Sequence, residues 1–295
     1  MSTAIQTLSR RHPGRRVLIT GGAGTLGLAL ATELAFAGWK VGLIDRNGRQ
    51  LAEAKHDFEI AGLPLWTIEA DVRHQAQMDL AVSAFCRHFG GLDLFINNAG
   101  IAAGGEFERV PDAHWQGVWN THFMGAVHGA RAALPHLERQ QGVLLNVASA
   151  AAIISSPQMG PYNAAKAALV SLSETLAGEY QHRVQVAVAL PTFFSSGLLN
   201  TYAAPLAARQ DAQRLSAGSR YTAEQATQHI LDGLAERSFY ILPPGRVRLA
   251  WWLKRLLPER FLRGLPERRM ARLAQLREQD ALLGLIPGAR PPAAS

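Results

Sequence analysis

The chain has 295 residues, 48% of them hydrophobic and 18% charged, with one cysteine. That is ordinary globular composition, enough for one large α/β domain or two small ones, and it excludes an internal disulfide. The net charge of +7 is local: between Arg246 and Arg277 ten Lys and Arg face only Glu259 and Glu267, a net +8, so the remainder sums to −1.

A near-neutral body argues against nucleic-acid binding by the fold and points to a local contact of the basic segment with a membrane surface, a lipid or another chain. No stretch approaches the roughly 18 apolar residues that span a bilayer. Arg10, Arg11, Arg15 and Arg16 lead into no apolar run, so residues 1–14 are expected to be a basic N-terminal extension and not a secretory signal. A reducing, cytoplasmic compartment suits the single Cys86, which is expected to be a small buried apolar residue.

Val17 to Thr20 predicts a strand that enters a glycine-rich turn, and Leu26 to Ala37 a helix of small and apolar residues. A strand over Lys40 to Ile44, closed by Asp45, leads to a helix over Arg46 to Ile60 that Gly62-Leu63-Pro64 ends. Leu65 to Ala70 predicts the third strand, and Gln75 to Phe89 a helix stopped by Gly90-Gly91. Leu92 to Ile96 is a buried-type strand, and Asp112 to Arg139 a long helical stretch. Gly142 to Val147 is a strand, Pro161 to Tyr180 a helix, Val184 to Leu190 a strand, Thr222 to Arg237 a helix and Ser238 to Leu242 a last short strand. Strands that read as unbroken apolar runs, alternating with helices, predict a doubly wound parallel sheet, the Rossmann pattern, over 15–244. After Pro243-Pro244 a basic, Leu- and Trp-bearing extension, 245–295, begins, and its last residues from Arg290 are Pro/Ala-rich and read as disordered.

The first strand runs into Thr20-Gly21-Gly22-Ala23-Gly24-Thr25-Leu26-Gly27. Glycines at 21, 24 and 27 let the chain turn sharply and bring N–H groups to a pyrophosphate at the next helix start. A glycine cluster alone can be a tight turn; at the first strand–helix junction it reads as a nucleotide cradle. Asp45 ends the second strand where an acid can meet ribose hydroxyls, which favours NAD, while the neighbouring Arg46 could instead accept the 2′-phosphate of NADP. Asp45 could also simply cap the following helix.

Tyr162 and Lys166 stand i, i+4 at a helix start and so share one face. An ammonium beside a phenol favours phenolate, and a tyrosine so tuned can give a proton to a carbonyl or take one from an alcohol as hydride moves. Ser149 lies just past a strand end, where ligands gather in α/β sheets, so Ser149 and Tyr162 could converge on one substrate oxygen. Surface Tyr-x-x-x-Lys pairs are common, and the surroundings carry the weight.

With these motifs in order the sequence resembles the classical short-chain dehydrogenase/reductases over roughly Arg15 to Pro243. The resemblance rests on Thr20 to Gly27, Asp71-Val72, Asn97-Asn98-Ala99-Gly100, Asn120, Ser149, Tyr162-Asn163-Ala164-Ala165-Lys166 and Pro191. It implies Tyr162 as acid/base, Lys166 lowering its pKa and holding the nicotinamide ribose, and Ser149 bonding the reacting oxygen. It implies Asn120 as holder of a water in a proton relay, Asp71 and Val72 at the adenine, and Asn97 to Gly100 lining the cofactor cleft or bracing the sheet. Pro191, Thr192 and Phe193 would meet the carboxamide side of the nicotinamide. Thr25 replaces a usual glycine, and the 21/24/27 spacing is similar to that of the extended branch; Thr192 also replaces a glycine, and Ser196 a common threonine. Homodimers or homotetramers are implied.

Phe193 to Arg220 falls where the family keeps its substrate loop, and its Phe193, Phe194, Leu198, Leu199, Tyr202 and Leu206 suit a lipophilic alcohol or ketone, or equally a subunit contact or the core. In the extension Leu249, Trp252, Leu253, Leu256 and Leu257 recur at helical spacing among Lys254 and Arg255, followed by Phe261, Leu262, Leu265, Met270, Leu273 and Leu276. Such a segment can lie in a membrane interface or pack on protein. Pro258 and Pro266 would break a continuous helix. The histidines, with His114, His122 and His128 in one helical region, have no metal-ligand spacing and are expected at the surface or in packing. The leading expectation is therefore an NAD(P)-dependent oxidoreductase. The alternatives are a non-catalytic nucleotide-binding regulator, sugar-nucleotide chemistry, and a peripheral membrane scaffold.

Overall fold

The computed structural model describes residues 2–192, 194, 219, 221–243 and 245–263. Among the described residues seven parallel strands form one sheet in the order β3-β2-β1-β4-β5-β6-β7. They are β1 Arg16–Thr20, β2 Lys40–Asp45, β3 Leu65–Glu69, β4 Leu94–Asn97, β5 Val143–Val147, β6 Gln185–Ala189 and β7 Tyr240–Ile241. All residues of β1, β4 and β5 are buried, as unbroken apolar runs require of a sheet covered on both faces. The helices are α1 Thr3–Arg11, α2 Thr25–Phe36, α3 Gly48–Ile60, α4 Gln75–Phe89, α5 Asp112–Trp119 and α6 Gly125–Arg139. They continue as α7 Gly160–Glu179, α8 Ala223–Ala235, α9 Arg246–Leu256 and α10 Pro258–Arg263. One face of the sheet packs Leu30, Leu34 and Trp39 with Ile230 and Leu234; the other packs Phe85, Met78, Phe95 and Leu134. The expected doubly wound Rossmann architecture is what the chain adopts, and strand order reverses between β1 and β4.

The expected long helix over 112–139 is α5 and α6 joined through one π turn, Asn120–Met124. The extra residue in that turn shifts which side chains point inward: Thr121 and His122 are buried.

Residues 2–14, expected as an extension, pack into the domain. Ser2 caps α1 by accepting from the Ile5 N–H, and Ile5 and Leu8 are each 1% exposed, each burial contributing roughly 1.5–3 kcal/mol. Arg11 donates to the Leu234 and Ala235 carbonyls (3.3 and 2.8 Å), satisfying the C-terminal end of α8. Arg16 pairs with buried Asp93 through Nε–Oδ2 at 2.8 Å and Nη2–Oδ1 at 3.0 Å. Cys86 is buried, and burial pushes its thiol up to about 11, so it is a packing residue, not a nucleophile.

The basic extension starts with α9, and Pro258 opens α10, as the break expected at that proline. The inner side of α9 is anchored: Trp251 packs against the cluster of Ile153, Leu169, Val188 and Leu190, and Lys254 Nζ donates to the Ile153 carbonyl at 2.7 Å. Arg255 lies over the Trp251 and Tyr240 rings at 4.5 and 5.4 Å. Leu249, Trp252, Leu253, Leu256, Leu257 and Leu262 are exposed. Among the described residues no helix is long and apolar enough to cross a membrane. Leu265, Met270, Leu273 and Leu276 lie outside the described residues, as do most of 193–220.

Candidate active site

The carboxyl ends of the strands open on one cleft of about 420 Å³, the size of a small-molecule site. Its floor begins at the turn after β1. Gly21 takes φ +60°, and a Cβ there would sit 2.6 Å from the Ala99 Cα; a Cβ on Gly27 would sit 2.6 Å from the Gly21 carbonyl oxygen. Only glycines let the three segments close up this way. Gly24 is the N-cap of α2 and supplies no side chain to its N–H groups, which leaves them for an anion. Asn98 braces the turn from β4, donating from Nδ2 to the Thr20 and Gly21 carbonyls at 3.1 and 3.0 Å. Asn97 points the other way: its Nδ2 donates to Asn146 Oδ1 at 2.9 Å and to the Ala126 carbonyl at 3.2 Å. Asn97 is thus a brace between β4, β5 and α6, and Asn98 both braces the turn and lines the cleft.

Asp45 ends β2 at the rim, its carboxylate accepting from the Ala23 and Asn47 N–H groups at 3.2 and 3.1 Å. Arg46 beside it is exposed. Asp71 and Val72 line the same cleft. The Arg73 guanidinium on Asp71 holds its carboxyl below the usual range, against the opposing effect of burial. With residues 21, 24, 25, 26, 45, 46, 71, 72 and 98–100 in one wall, the cleft has the parts a dinucleotide needs: helix N–H groups for phosphates, a carboxylate for ribose hydroxyls and the apolar Val72 for a base. Gly27 lies behind the cradle, and Phe193 lies outside the described residues. Pro191 and Thr192 close the far side, and the Pro191 carbonyl accepts from the Ala150 N–H at 2.9 Å, tying the end of β6 to the loop after Ser149.

Ser149 follows β5, and Tyr162 and Lys166 come from the first turns of α7, whose start is fixed by Pro161 and by Asn163 Nδ2 donating to the Ser156 carbonyl at 2.8 Å. The Tyr162 phenol faces the Ser149 hydroxyl. Burial pushes the phenol above its ordinary value, and the Ser149 hydroxyl pulls it partly back. Lys166 is 3% exposed; its Nζ donates to the Val147 carbonyl at 2.6 Å and lies 5.8 Å from the Tyr162 ring centroid. Burial pushes the Lys166 ammonium down to about 7. Burial of both groups thus opposes the expected lowering of the Tyr162 pKa by Lys166.

The structure does not bring Asn120 to this group. Its side chain is exposed where α5 gives way to the π turn, away from the cleft. The residue that reaches Tyr162 from this helix is His122, 2% exposed, its ring 5.2 Å from the Tyr162 ring and at 86° to it. Sequence reasoning had set His122 aside, yet buried Val118, Thr121, His122, Gly125, Ala126 and Gly129 form one helical stripe that excludes position 120. Ile101, Ala102, Met159 and Phe194 also line the cleft. Among the described residues no group of His, Cys, Asp and Glu is placed to hold a metal.

A family model described as short chain dehydrogenase matches residues 15–206. The chain is similar to the 11-beta-hydroxysteroid dehydrogenase 1A of Arabidopsis thaliana, 32% identical over 254 residues, covering 83% of this chain and 73% of that protein. It is 30% identical over 190 residues to a CLA biosynthesis dehydrogenase/reductase of Lactiplantibacillus plantarum, covering 63% of this chain and 66% of that protein. Among solved structures it superposes on a short chain dehydrogenase/reductase from Burkholderia phymatum in complex with NAD, with TM-score 0.79 and 30% identity over 83% of this chain and 94% of that one. It also superposes on levodione reductase, with TM-score 0.70 and 26% identity over 79% of this chain and 96% of that one. The motif order, the parallel sheet and the cleft at its switch point thus agree with these likenesses, and the chain belongs to the short-chain dehydrogenase/reductase family of NAD(P)-dependent oxidoreductases.

Proposed function

We propose that this enzyme interconverts a lipophilic alcohol with its ketone or aldehyde, with Tyr162 as the proton-transfer residue and NAD as the favoured cofactor. The observation that carries the reading is the convergence of the Tyr162 phenol, the Ser149 hydroxyl and the Lys166 ammonium at one end of a cleft whose other end is a glycine cradle. The bound cofactor would supply hydride acceptance and donation at its nicotinamide ring. Ser149 and Tyr162 would hold the substrate oxygen, and Tyr162 would take or give its proton at the phenol oxygen. The Asp45 carboxylate would accept from ribose hydroxyls and repel a 2′-phosphate, favouring NAD; exposed Arg46 is the residue through which NADP would bind instead. The 11-beta-hydroxysteroid dehydrogenase relatives support an alcohol or ketone of hydroxysteroid type, and Phe194 at the cleft adds an apolar wall. The test is nicotinamide fluorescence with NADH and NADPH titrated separately, followed by turnover of lipophilic ketones. Binding of neither cofactor sinks the reading, and tighter NADPH binding transfers the selectivity to Arg46. A homodimer or homotetramer, the family habit, is checked by light scattering.

A second element of the proposal is peripheral membrane contact through α9 and α10. The outward Leu249, Trp252, Leu253, Leu256 and Leu262 with Arg248, Arg260 and Arg263 supply apolar insertion plus attraction to anionic headgroups. Flotation with anionic vesicles, with and without the residues after Pro244, is the assay; equal flotation removes the membrane contact.

A further inference from the structure

Ser149 stands at the head of a loop that runs to the start of α7. Its Oγ accepts from the Ala151 N–H at 3.1 Å, so the turn Ala150–Ala152 sets where the Ser149 hydroxyl lies. That turn closes through the Ala152 N–H to the Ser149 carbonyl at 2.9 Å, and through the Ile153 and Ile154 N–H groups to the Ala150 carbonyl at 3.0 and 2.8 Å. The loop backbone is also tied down from outside. The Pro191 carbonyl takes the Ala150 N–H at 2.9 Å, and Asn163 Nδ2 donates to the Ser156 carbonyl at 2.8 Å; both partners belong to the sheet domain. A further tie comes from the basic extension, where Lys254 Nζ donates to the Ile153 carbonyl at 2.7 Å across 101 residues of sequence. Among the described residues no other donor reaches that carbonyl.

We propose that Lys254 is a positioning residue for Ser149: its ammonium, carried in by α9 from outside the sheet domain, fixes the Ile153 carbonyl and with it the turn that aims the Ser149 hydroxyl at Tyr162. The two sides of this contact differ in what else secures them. Helix α9 has other anchors. Val247, Ala250 and Trp251 are half-buried on the same side as Lys254, and the Trp251 ring packs into the cluster of Ile153, Leu169, Val188 and Leu190. That ring lies 5.4 Å from the Tyr240 ring, and the Arg255 guanidinium covers both. The Ile153 carbonyl has no second donor to fall back on. Removing the ammonium therefore leaves the helix docked and loosens the turn. A charged donor suits the task, because its hydrogen bond to a carbonyl is stronger than a neutral one. Lys254 does not line the cleft, so it acts only through the loop that carries Ser149. The inference rests on the reading of Ser149 and Tyr162 as the groups that hold the substrate oxygen.

Amide hydrogen exchange on the full chain reads the turn without cofactor or substrate. The Ala151 N–H is the group bonded to Ser149 Oγ, so its exchange reports on the hydroxyl itself. Lys254→Met keeps an unbranched stem and removes the donor. It is expected to speed exchange at Ala151, Ala152, Ile153 and Ile154 by about tenfold or more, the scale of one lost hydrogen bond to a charged group, while the amides of α2 and α9 keep their wild-type rates. Lys254→Arg, which can donate to the same carbonyl, is expected to restore slow exchange. Turnover is the second arm. With NADH and an 11-ketosteroid, Lys254→Met is expected to lower kcat by about tenfold or more at unchanged NADH affinity, and to add nothing further in a Ser149→Ala background. Wild-type exchange at the four turn amides in Lys254→Met overturns the proposal, as does loosening of α9 together with the turn, or an equal loss of turnover with and without Ser149. A wild-type chain that turns over no ketosteroid fails the reading of the substrate alone, and exchange at Ala151 then decides the role of Lys254.

Discussion

Replacing Asp93 with asparagine leaves the Arg16 guanidinium buried against a neutral amide. In the folded chain Asp93 Oδ2 accepts from Arg16 Nε at 2.8 Å and from the Arg16 backbone N–H at 2.9 Å, and Oδ1 accepts from Nη2 at 3.0 Å. The two side chains are 11% and 4% exposed, so solvent cannot take over. Breaking one side of a buried, hydrogen-bonded pair costs about 3–5 kcal/mol. Arg16 keeps two other acceptors, the Gly90 carbonyl at 2.6 Å and Gln140 Oε1 at 3.1 Å, so the low end, about 3 kcal/mol, applies. Arg16 opens β1, and the cradle begins after Thr20, about 13 Å further along the strand. NADH affinity should then be unchanged while the urea midpoint falls. In a double-mutant cycle with Arg16→Met, the second change should recover much of the loss. A penalty below about 1 kcal/mol for Asp93→Asn, or single effects that add within about 0.5 kcal/mol, would refute the assignment of a coupled buried pair.

Tyr162→Phe keeps the ring against His122 and removes only the hydroxyl, so turnover should fall by about 10²- to 10⁴-fold with NADH fluorescence titration little changed. Gly21→Ala adds a Cβ 2.6 Å from the Ala99 backbone at φ +60°, so NADH affinity should drop at least about tenfold, a 1.4 kcal/mol change, in the same titration; unchanged affinity would mean the cradle does not carry the phosphates. His12 is 2% exposed, and both ring nitrogens lack a hydrogen-bond partner among the described residues; burial, with Arg11 and Arg237, outweighs Asp93 and holds it below the usual histidine pKa. The unfolded chain then takes up this proton first, so stability present above about pH 6.5 should be lost as pH falls through the lowered folded value. His12→Phe should flatten that slope in chemical denaturation at several pH values, and an unchanged slope would show that His12 does not contribute to it.

What the sequence made legible follows from local physics. Strands β1, β4 and β5 read as unbroken apolar runs because both sheet faces are covered, and Gly90 ended α4 at φ +77° as a left-handed C-cap. The cradle, Ser149, Tyr162 and Lys166 lie at strand ends and one helix start, where motif spacing is informative. The roles of Arg11 and Arg16 were not legible, because their partners at Leu234, Ala235 and Asp93 are 77 or more residues away. Ala4, Ile5 and Leu8 share one face of α1, but three apolar residues in a polar nonamer make a stripe too short to announce by itself that α1 is buried. The Asn120 and His122 contrast is different. The 118/121/122/125/126/129 stripe is present in the sequence and marks the buried face of this helix, and position 120 lies off it, whatever its residue type.

The electrostatics of the cleft give the chemistry a condition. Burial pushes Tyr162 up and Lys166 down to about 7, so both groups are biased toward their neutral forms. Acid/base work by the phenol is easier with an ammonium beside it, and a buried ammonium needs acceptors beyond the Val147 carbonyl. If ribose hydroxyls of a bound dinucleotide accept from Lys166, the lysine pKa rises on binding, and the chain takes up protons where the free enzyme is partly deprotonated. Calorimetric titration of NADH in buffers of different ionisation enthalpy should report proton uptake between about pH 7 and 8, absent in Lys166→Met, because a shift of one unit is about 1.36 kcal/mol of linkage. Binding without proton exchange in the wild-type chain would mean that Lys166 is already fully charged in the free enzyme, and that burial does not govern this site.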